Sequence, residues 1–177
     1  MNYQFQLTLY TIGHSNQRAD ELLAALHAFA ISTVVDVRSV PFSQYTPHFN
    51  RDALESALTA AGIGYAFAGN HLGGRPADPT CYRNGAIPDP GADFLSLVDY
   101  DEVATRPWFQ RGLARLLEIA NGGPTAMLCS EEDPLRCHRH HLIAQALLAR
   151  GIPVGHIRRG GVLEPATPRA TQLSLLP

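Results

Sequence analysis

Short apolar runs alternate with segments of helical periodicity through most of the chain. Apolar runs occupy residues 7–12, 33–37, 65–68 and 154–157, and a fifth ends at Cys129. Between the runs, Leu22, Leu26 and Phe29 recur at the spacing of one helical face. We therefore predict an α/β fold, a single-domain three-layer sandwich with a mainly parallel sheet of about five strands and helices on both faces.

Capping residues suggest where the helices begin. Ser15 or Asn16 is expected to cap the first helix and Asn50 the second, while Pro107 opens a third. Asp133, followed by proline, is expected to start a fourth helix that runs to residue 150. Residues 69–91 hold five Gly and four Pro without periodicity, which predicts a long irregular loop of the kind that often covers a site.

Length and composition predict one domain with a short extension. A chain of 177 residues with 45% hydrophobic residues is long enough to bury one sizeable core. Residues from 164 onward show no periodicity. We therefore predict an α/β domain over residues 1–163 and a flexible C-terminal tail over residues 164–177.

Charge and targeting signals narrow the classes of function. Fourteen basic and sixteen acidic side chains give a net charge of −2, so nucleic acid could be bound only by a local patch. Every basic side chain is Arg, which excludes a Schiff-base lysine and a Walker-type phosphate lysine. Because we find neither a signal peptide nor an apolar run of membrane-spanning length, we expect a cytoplasmic protein with reduced cysteines and no membrane partner.

Polar residues follow the predicted strands, and the carboxyl ends of parallel strands meet at one edge of a sheet. Ligands of such sheets bind at that edge. The sequence therefore predicts a rim site. The residues expected on the rim are His14, Asp36, Arg38, His71, Gly73, Gly74, Cys129, Glu131, Arg158 and Arg159.

Cys129 is a candidate nucleophile. It ends a strand just before a predicted helix, where the helix dipole and the nearby Arg136 and Arg139 would favour a thiolate. Six residues separate Cys129 from Arg136, one more than in the phosphate loop of cysteine phosphatases, and the intervening acids would repel a phosphate. A phosphatase is therefore disfavoured. The alternative is that Cys129 is a buried residue finishing a strand.

A metal site is a second interpretation of the same segment. Cys129, Cys137 and the histidines 138, 140 and 141 could supply ligands. The chain has neither a paired CxxC nor an HExxH motif, so structural zinc is the lesser alternative and we predict no cofactor. His140 and His141 are expected on the surface, whereas His138 and Arg139 are expected to face the rim.

Asp36 and Glu131 are the candidates for general acid or base, since each lies at a strand end. The alternative is structural. Each carboxylate could instead form an ion pair that organises the loops, Asp36 with Arg38 and Glu131 with Arg139.

Four motifs together resemble a known family, the bacterial and archaeal domain of unknown function number 488. They are TIGHSN from residue 11, DVRSVPFS from residue 36 followed by PHFN, HLGGRP from residue 71, and CSEEDPLRCHR from residue 129. Gln44 stands where a basic residue is expected, and Arg158-Arg159 where an acidic one is expected before Gly160. The resemblance implies an α/β fold and a shared rim site, without an established reaction.

These motifs and the rim prediction give the candidate site residues. Asp36, Cys129 and Glu131 are the catalytic candidates. The arginines of the rim would hold phosphate. The candidates for substrate binding are His14, Arg38, Ser43, His71, Gly73, Gly74, Arg75, His138 and Arg139.

The C-terminal segment resembles the pentapeptide with which bacterial polymerases and repair proteins bind the sliding clamp. Its anchors would be Gln172, Leu173, Leu175 and Leu176. Alternatively, the leucines cover an apolar patch of the domain, or the match arose by chance.

The leading hypothesis is a cytosolic enzyme acting on a phosphate-bearing substrate, nucleic acid or nucleotide, in DNA repair. A non-catalytic nucleic-acid-binding module is one alternative. A thiol- or metal-dependent enzyme acting on a small molecule is another.

Overall fold

Six strands form one sheet in a computed structural model that describes residues 9–169. Their order across the sheet is β3-β2-β4-β1-β5-β6. Strands β1 to β5 run parallel, and β6 pairs antiparallel with β5. The mainly parallel sheet is therefore confirmed, with one strand more than expected. The strands are β1 (Leu9–Gly13), β2 (Thr33–Asp36), β3 (Gly64–Phe67), β4 (Thr125–Cys129), β5 (Gly155–Arg158) and β6 (Val162–Pro165).

Helices connect the parallel strands. The α-helices are α1 (Ala19–Ala28), α2 (Arg51–Ala60), α3 (Gly69–Leu72), α4 (Phe94–Leu97), α5 (Tyr100–Thr105), α6 (Pro107–Ala120) and α7 (Gln145–Leu148). Single 3₁₀ turns occupy Pro47–Phe49, Pro79–Cys81 and Pro134–Arg136, and a π-helical segment, Arg139–Ala144, leads directly into α7. Among residues 9–169, no helix combines the length and apolarity needed to cross a membrane.

The two faces of the sheet bury separate cores. Leu22 of α1 and Leu54 of α2 pack against one face, where β4 contributes Leu128. Phe109 of α6 and the segment from residue 139 onward pack against the other, where β4 contributes Met127. Alternate residues of β4 thus enter opposite cores, as the pleat of a strand requires. The three-layer arrangement is confirmed.

The loop after β1 differs from the expected capping pattern. The residue that precedes α1 is Arg18, and Glu21 accepts its N–H, whereas Ser15 or Asn16 was expected to cap this helix. Ser15 instead has a positive φ of 45° and donates its N–H to the carbonyl of Ser130 at 2.7 Å. This hydrogen bond holds Ser15 against the loop after β4, so α1 begins later in the chain than expected. Asn50 does precede α2 as expected, although its side chain bonds the Ser43 N–H.

The helix expected from Asp133 to residue 150 is interrupted. Asp133 caps a turn, accepting the Leu135 N–H at 2.9 Å, but this turn ends after Arg136. Cys137 is extended, with φ −141° and ψ 142°, and helical structure resumes at Arg139 and ends at Leu148. The break turns Cys137 back toward the end of β4.

β6 was not predicted, and it crosses the boundary placed between residues 163 and 164. Beyond it, Ala166 donates its N–H to the carbonyl of Val154, and Arg169 donates its own to the side chain of Gln145. Residues 162–169 thus contact the sheet and α7. The candidate clamp-binding residues 172–176 lie outside the described residues.

Candidate functional site

A cavity of about 460 Å³ opens at the carboxyl edge of the sheet, where β2 and β4 end. The loop after β2 forms one wall, and residues 92–95 form another. The end of β4 and the interrupted helix complete its floor. The lining residues that carry chemistry are Arg38, Ser39, Ser43, Arg75, Asp93, Tyr100, Cys129, Ser130, Glu131, Arg136, Cys137 and His138.

Cys129, Cys137 and His138 form a buried cluster at the floor of this cavity. The Nδ1 atom of His138 lies 3.7 Å from the Cys129 Sγ and 3.8 Å from the Cys137 Sγ. All three potential ligand atoms lie within 4.8 Å of one another. The extended backbone at Cys137 creates this cluster, since a continuous helix from Asp133 would not direct both thiols to one imidazole.

Hydrogen bonding fixes the orientation of the His138 ring. Its Nε2 lies 3.2 Å from the carbonyl of Val37, and a carbonyl only accepts, so Nε2 carries a proton and donates it. The Nδ1 atom then faces both sulfur atoms. Gly74 lies against the same ring, since a Cβ at this position would come within 2.6 Å of the His138 Cγ.

The two thiols have opposite electrostatic environments. The hydrogen bond between them, together with burial, raises the pKa of Cys129 well above its ordinary value. Burial also raises the pKa of Cys137. The hydrogen bond from Cys129 and the positive charges of His138 and Arg139 lower this pKa by more, so it falls well below its ordinary value. The pair therefore favours one shared proton, with the negative charge on Cys137.

Arg38 lines the cavity and forms a buried bidentate ion pair with Asp36, which lies behind it. The Arg38 Nε and Nη2 donate to the carboxylate at 2.9 and 2.6 Å, and Tyr65 donates its hydroxyl at 2.9 Å. Arg38 also donates through Nη1 to the carbonyl of Phe49 and to His14 Nε2. Asp36 is therefore fully engaged, and only one N–H of Arg38 makes no hydrogen bond within residues 9–169.

His14 lies behind Arg38 and does not line the cavity. Because Arg38 donates to its Nε2, the ring donates from Nδ1 to the Ser15 carbonyl at 2.8 Å. Burial lowers the pKa of His14 to about 4. The ring is neutral at physiological pH and orients the guanidinium of Arg38.

Two other arginines face the cavity without a carboxylate partner. Within residues 9–169, the side chain of Arg136 makes neither a hydrogen bond nor an ion pair, and it is exposed. The guanidinium of Arg75 lies 4.5 Å from the centre of the Phe94 ring, and its backbone N–H bonds the Ser39 hydroxyl. Both cations are therefore available to an anion in the cavity.

Arg139 is fully buried and does not face the rim. Its Nη1 and Nη2 donate to the backbone carbonyls of Glu131 and Glu132, and its Nε donates to Thr11. Arg139 does not form the expected ion pair with the carboxylate of Glu131. Arg139 instead holds the backbone of the acidic loop.

Glu131 lines the cavity and is exposed, as is the carboxylate of Asp93 on the opposite segment. The Glu131 side chain makes no hydrogen bond with the described residues, whereas its backbone is held tightly. A Cβ at Gly13 would come within 1.8 Å of the Glu131 carbonyl, so only glycine fits at the end of β1. The loop thus positions a free carboxylate on a fixed backbone.

The remaining predicted site residues divide between the cavity and its surroundings. Ser43 lines the cavity, and its hydroxyl accepts the N–H groups of Tyr45 and Thr46. His71 is exposed and lies over Gly112 of α6, away from the cavity. Gly73 is buried against Ser39.

Arg158 and Arg159, predicted on the same rim, line a separate groove beside α1. Arg158 pairs there with Glu132 at 2.9 Å and with Glu164 at 2.6 Å. The rim therefore divides into two sites on either side of β1.

The sequence provided little signal for several cavity residues. Tyr100 lies at the start of α5, a helix that was not predicted, and burial followed by the nearby thiols raises its pKa above the ordinary value. Ser39 and Phe42 line the cavity from an irregular segment, and their place in the DVRSVPFS motif was the signal that could have indicated them. Phe94 begins α4, a short helix that was not predicted.

His140 is buried, contrary to the expectation of a surface position. Gln145 donates to its Nε2 at 3.4 Å, and its Nδ1 bonds His156 at 3.0 Å. His156 in turn bonds Thr11 at 2.7 Å. Burial lowers the pKa of His156 to about 3 and also lowers that of His140, so the chain of hydrogen bonds is neutral.

Comparison with protein families gives one match. The family described as Domain of unknown function DUF488 matches residues 18–146, which include β2 to β4 and the cluster of Cys129, Cys137 and His138. Searches among curated proteins and solved structures found no match. The match covers more than half of the 177 residues. The chain therefore belongs to the DUF488 family.

Proposed function

We propose that the protein is an enzyme that acts on a phosphate-bearing substrate, a nucleotide or a strand of nucleic acid, bound in the cavity at the end of β4. One observation carries this proposal. Arg75 and Arg136, which form no ion pair with a carboxylate of residues 9–169, line the same cavity of about 460 Å³ as the cluster of Cys129, Cys137 and His138.

The arginines supply the anion site. A guanidinium offers several N–H donors in a planar fork that matches phosphate oxygens. Arg75 stacks on Phe94, which holds its plane in place, and Arg136 extends from the turn before Cys137. Arg38 also lines the cavity, although Asp36 neutralises most of its charge.

Exposed aromatic residues beside the cavity favour a substrate that contains a base. Phe42 lines the cavity and is 70% exposed, and Tyr45 on the same loop is 85% exposed. Large apolar side chains at such exposure are suited to stacking, and every nucleobase offers a π-face. Aromatic rings beside free arginines match a nucleotide better than a simple phosphate ester.

The chemistry is assigned to the floor of the cavity. Glu131 is a free carboxylate and takes the role of general acid or base, whereas Asp36 positions Arg38. The cysteine–histidine cluster provides the reactive centre. General acid–base catalysis contributes about 10²- to 10⁴-fold to a rate, so loss of Glu131 is expected to slow turnover by that factor.

The test is an activity screen with the purified protein. Nucleotides and single-stranded and duplex DNA are incubated with the wild type, and with Cys129→Ala, Glu131→Gln and Glu55→Gln. Glu55 is an exposed residue of α2 outside the cavity. We expect turnover by the wild type and Glu55→Gln, and loss in the other two variants with circular dichroism unchanged.

Binding without turnover would overturn the enzymatic proposal. If salt-dependent DNA binding survives both Cys129→Ala and Glu131→Gln, the protein is a non-catalytic nucleic-acid-binding module. If both variants unfold and no ligand binds to the wild type, the cavity is structural.

A role in DNA repair is proposed on the clamp-like C-terminal segment alone. Deleting residues 172–177 is expected to abolish binding to a bacterial sliding clamp, measured by surface plasmon resonance. Double substitution of Gln172 and Leu175 by Ala should have the same effect. Unchanged clamp binding in both variants would remove the argument for repair.

A further inference from the structure

We propose that Cys129, Cys137 and His138 form a binding site for one thiophilic divalent cation, zinc or a similar ion, with a fourth coordination position directed into the cavity. The inference does not depend on the substrate proposed above. It rests on the geometry of three side chains and on the groups that hold them.

The distances between the ligand atoms match a tetrahedral site. With Zn–S bonds of about 2.3 Å and a Zn–N bond of about 2.0–2.1 Å, tetrahedral geometry places nitrogen and sulfur about 3.6 Å apart. The His138 Nδ1 lies 3.7 and 3.8 Å from the two sulfur atoms. The cluster therefore needs little rearrangement to bind an ion.

The groups around the cluster orient it for a cation. A histidine that binds a metal donates its other N–H to a carbonyl or carboxylate, which fixes the ring and its lone pair. His138 does so through its Nε2–H bond to the Val37 carbonyl. The backbone N–H of Arg139 donates to the Cys137 Sγ at 3.5 Å. A hydrogen bond of this kind stabilises a thiolate ligand.

Other nearby histidines are excluded as ligands by their own hydrogen bonds. His140 bonds His156 and Gln145 through its two ring nitrogens. His141 bonds the carbonyl of Leu135 at 2.7 Å. Residues 9–169 thus offer three ligands rather than the four of a closed structural site.

An open fourth position is typical of catalytic metal sites. All three ligands line the cavity, as does Glu131. An ion in this position would contact a water molecule or the substrate. It would act there as a Lewis acid on that ligand.

The experiment measures metal binding directly. Wild-type protein is purified, its metal content is measured by mass spectrometry, and it is then stripped with a chelator and titrated with Co²⁺. We expect one ion per chain and the charge-transfer absorption of thiolate-bound cobalt. Cys129→Ser and Cys137→Ser should lose this absorption, and His138→Asn should weaken it.

Cys81→Ser is the matched control, because Cys81 is also buried and free but lies outside the cluster. It should retain the stoichiometry of the wild type. Titration of the folded wild type is informative even if a variant fails to fold, which circular dichroism would reveal.

Two results would overturn the proposal. One is a folded, reduced wild type that binds neither Co²⁺ nor Zn²⁺. The other is cobalt binding that persists in both cysteine variants. A disulfide between Cys129 and Cys137 in freshly purified protein, with no metal before or after reduction, would assign the cluster to redox chemistry instead.

Discussion

Two carboxylates, Asp36 and Glu131, have similar positions in the sequence but differ in burial. Asp36 and Glu131 each follow an apolar run, and both were candidates for proton transfer. Asp36 is fully buried and engages Arg38 and Tyr65, whereas Glu131 is exposed in the cavity. The difference arises from tertiary contacts, since the Arg38 side chain can reach Asp36 only because Phe49 and His14 hold it there.

Asp36→Asn is expected to reduce stability rather than to act on catalysis alone. It leaves the Arg38 guanidinium buried without a counter-charge, and breaking a buried pair in this way costs about 3–5 kcal/mol. Urea denaturation of this variant should show that loss. Asp52→Asn, at an exposed position of α2, is the control and should change stability by less than about 0.5 kcal/mol. Equal stability of the two variants would contradict the structural role.

Acidification is expected to destabilise the protein through its neutral histidines. The pKa values of His14 and His156, about 4 and about 3, lie below the ordinary value of 6.5. The unfolded chain therefore takes up more protons, and stability is complete above pH 6.5 and falls as the pH decreases toward 4. Each residue should cost on the order of 1–2 kcal/mol between pH 7 and pH 5.

Chemical denaturation at several pH values measures this effect. His156→Gln should flatten the dependence, because it removes one of the three histidines whose pKa burial lowers, while His14 and His140 remain. An exposed histidine provides the control, and His71→Gln should leave the slope unchanged. A stability that does not vary between pH 7 and pH 5 would contradict the assignment.

Among the helices and strands, those with a clear pattern of apolar residues were predicted from the sequence. The buried strands β1, β2 and β4 and the amphipathic helix α6 have continuous or regularly spaced apolar residues. β6 has no such pattern because it is an edge strand whose residues are mostly exposed. The break at Cys137 could not be predicted from periodicity either, because contacts with Cys129 of β4 and with His138 accompany it.

In the candidate site, too, the features that depend on tertiary contacts could not be predicted from the sequence. Arg38, Cys129 and His138, which the motifs made candidates, line one cavity, and their function stays a prediction. The motifs could not indicate which polar residues would turn away from the cavity. Arg139 and His71 have the same polarity as true lining residues, and only the packing of distant segments directs one into the core and the other onto α6.

Gly74→Ala tests how the loop after α3 supports the cluster. The new methyl group would overlap the His138 ring, so the ring must move from the two thiols. We expect a stability loss of about 1–3 kcal/mol and a changed rate of thiol alkylation. Gly91→Ala is the control, since a Cβ there meets no atom within 4 Å. Identical alkylation rates in both variants would mean that Gly74 does not position the ring.

Truncation tests the extent of the folded domain. A chain that ends at residue 161 lacks β6 and the bonds of Ala166 and Arg169, and it should lose roughly 2–4 kcal/mol. A chain that ends at residue 169 retains them and should melt near the temperature of the full chain. Thermal melts followed by circular dichroism compare the two. Similar melting of both truncated chains would place the boundary before β6.

At the scale of the whole molecule, charge is nearly balanced. A net charge of −2 gives no long-range attraction to nucleic acid, so binding must depend on the few arginines of the cavity. The protein differs in this respect from nucleic-acid-binding proteins with an extended basic face.

Weak salt dependence of nucleic-acid binding follows from this charge distribution. If Arg75 and Arg136 each neutralise one phosphate, the logarithm of the affinity for single-stranded DNA should fall against the logarithm of salt concentration with a slope of about −1.4. Arg136→Ala should halve the slope and weaken binding roughly tenfold. Arg115→Ala, on the exposed side of α6, should change neither. Fluorescence anisotropy measures both quantities, and a slope several times steeper would indicate a larger surface.

The strand order has a consequence for how the protein is made. β1 leaves the ribosome first, yet its neighbours in the sheet are β4 and β5, so that Leu9 pairs with Thr125 and Tyr10 with Gly155. Contacts this distant in sequence form slowly. A nascent chain therefore carries an unpaired apolar strand until β4 has been made. The floor of the cavity, which β4 and the residues after it supply, also forms only after that point.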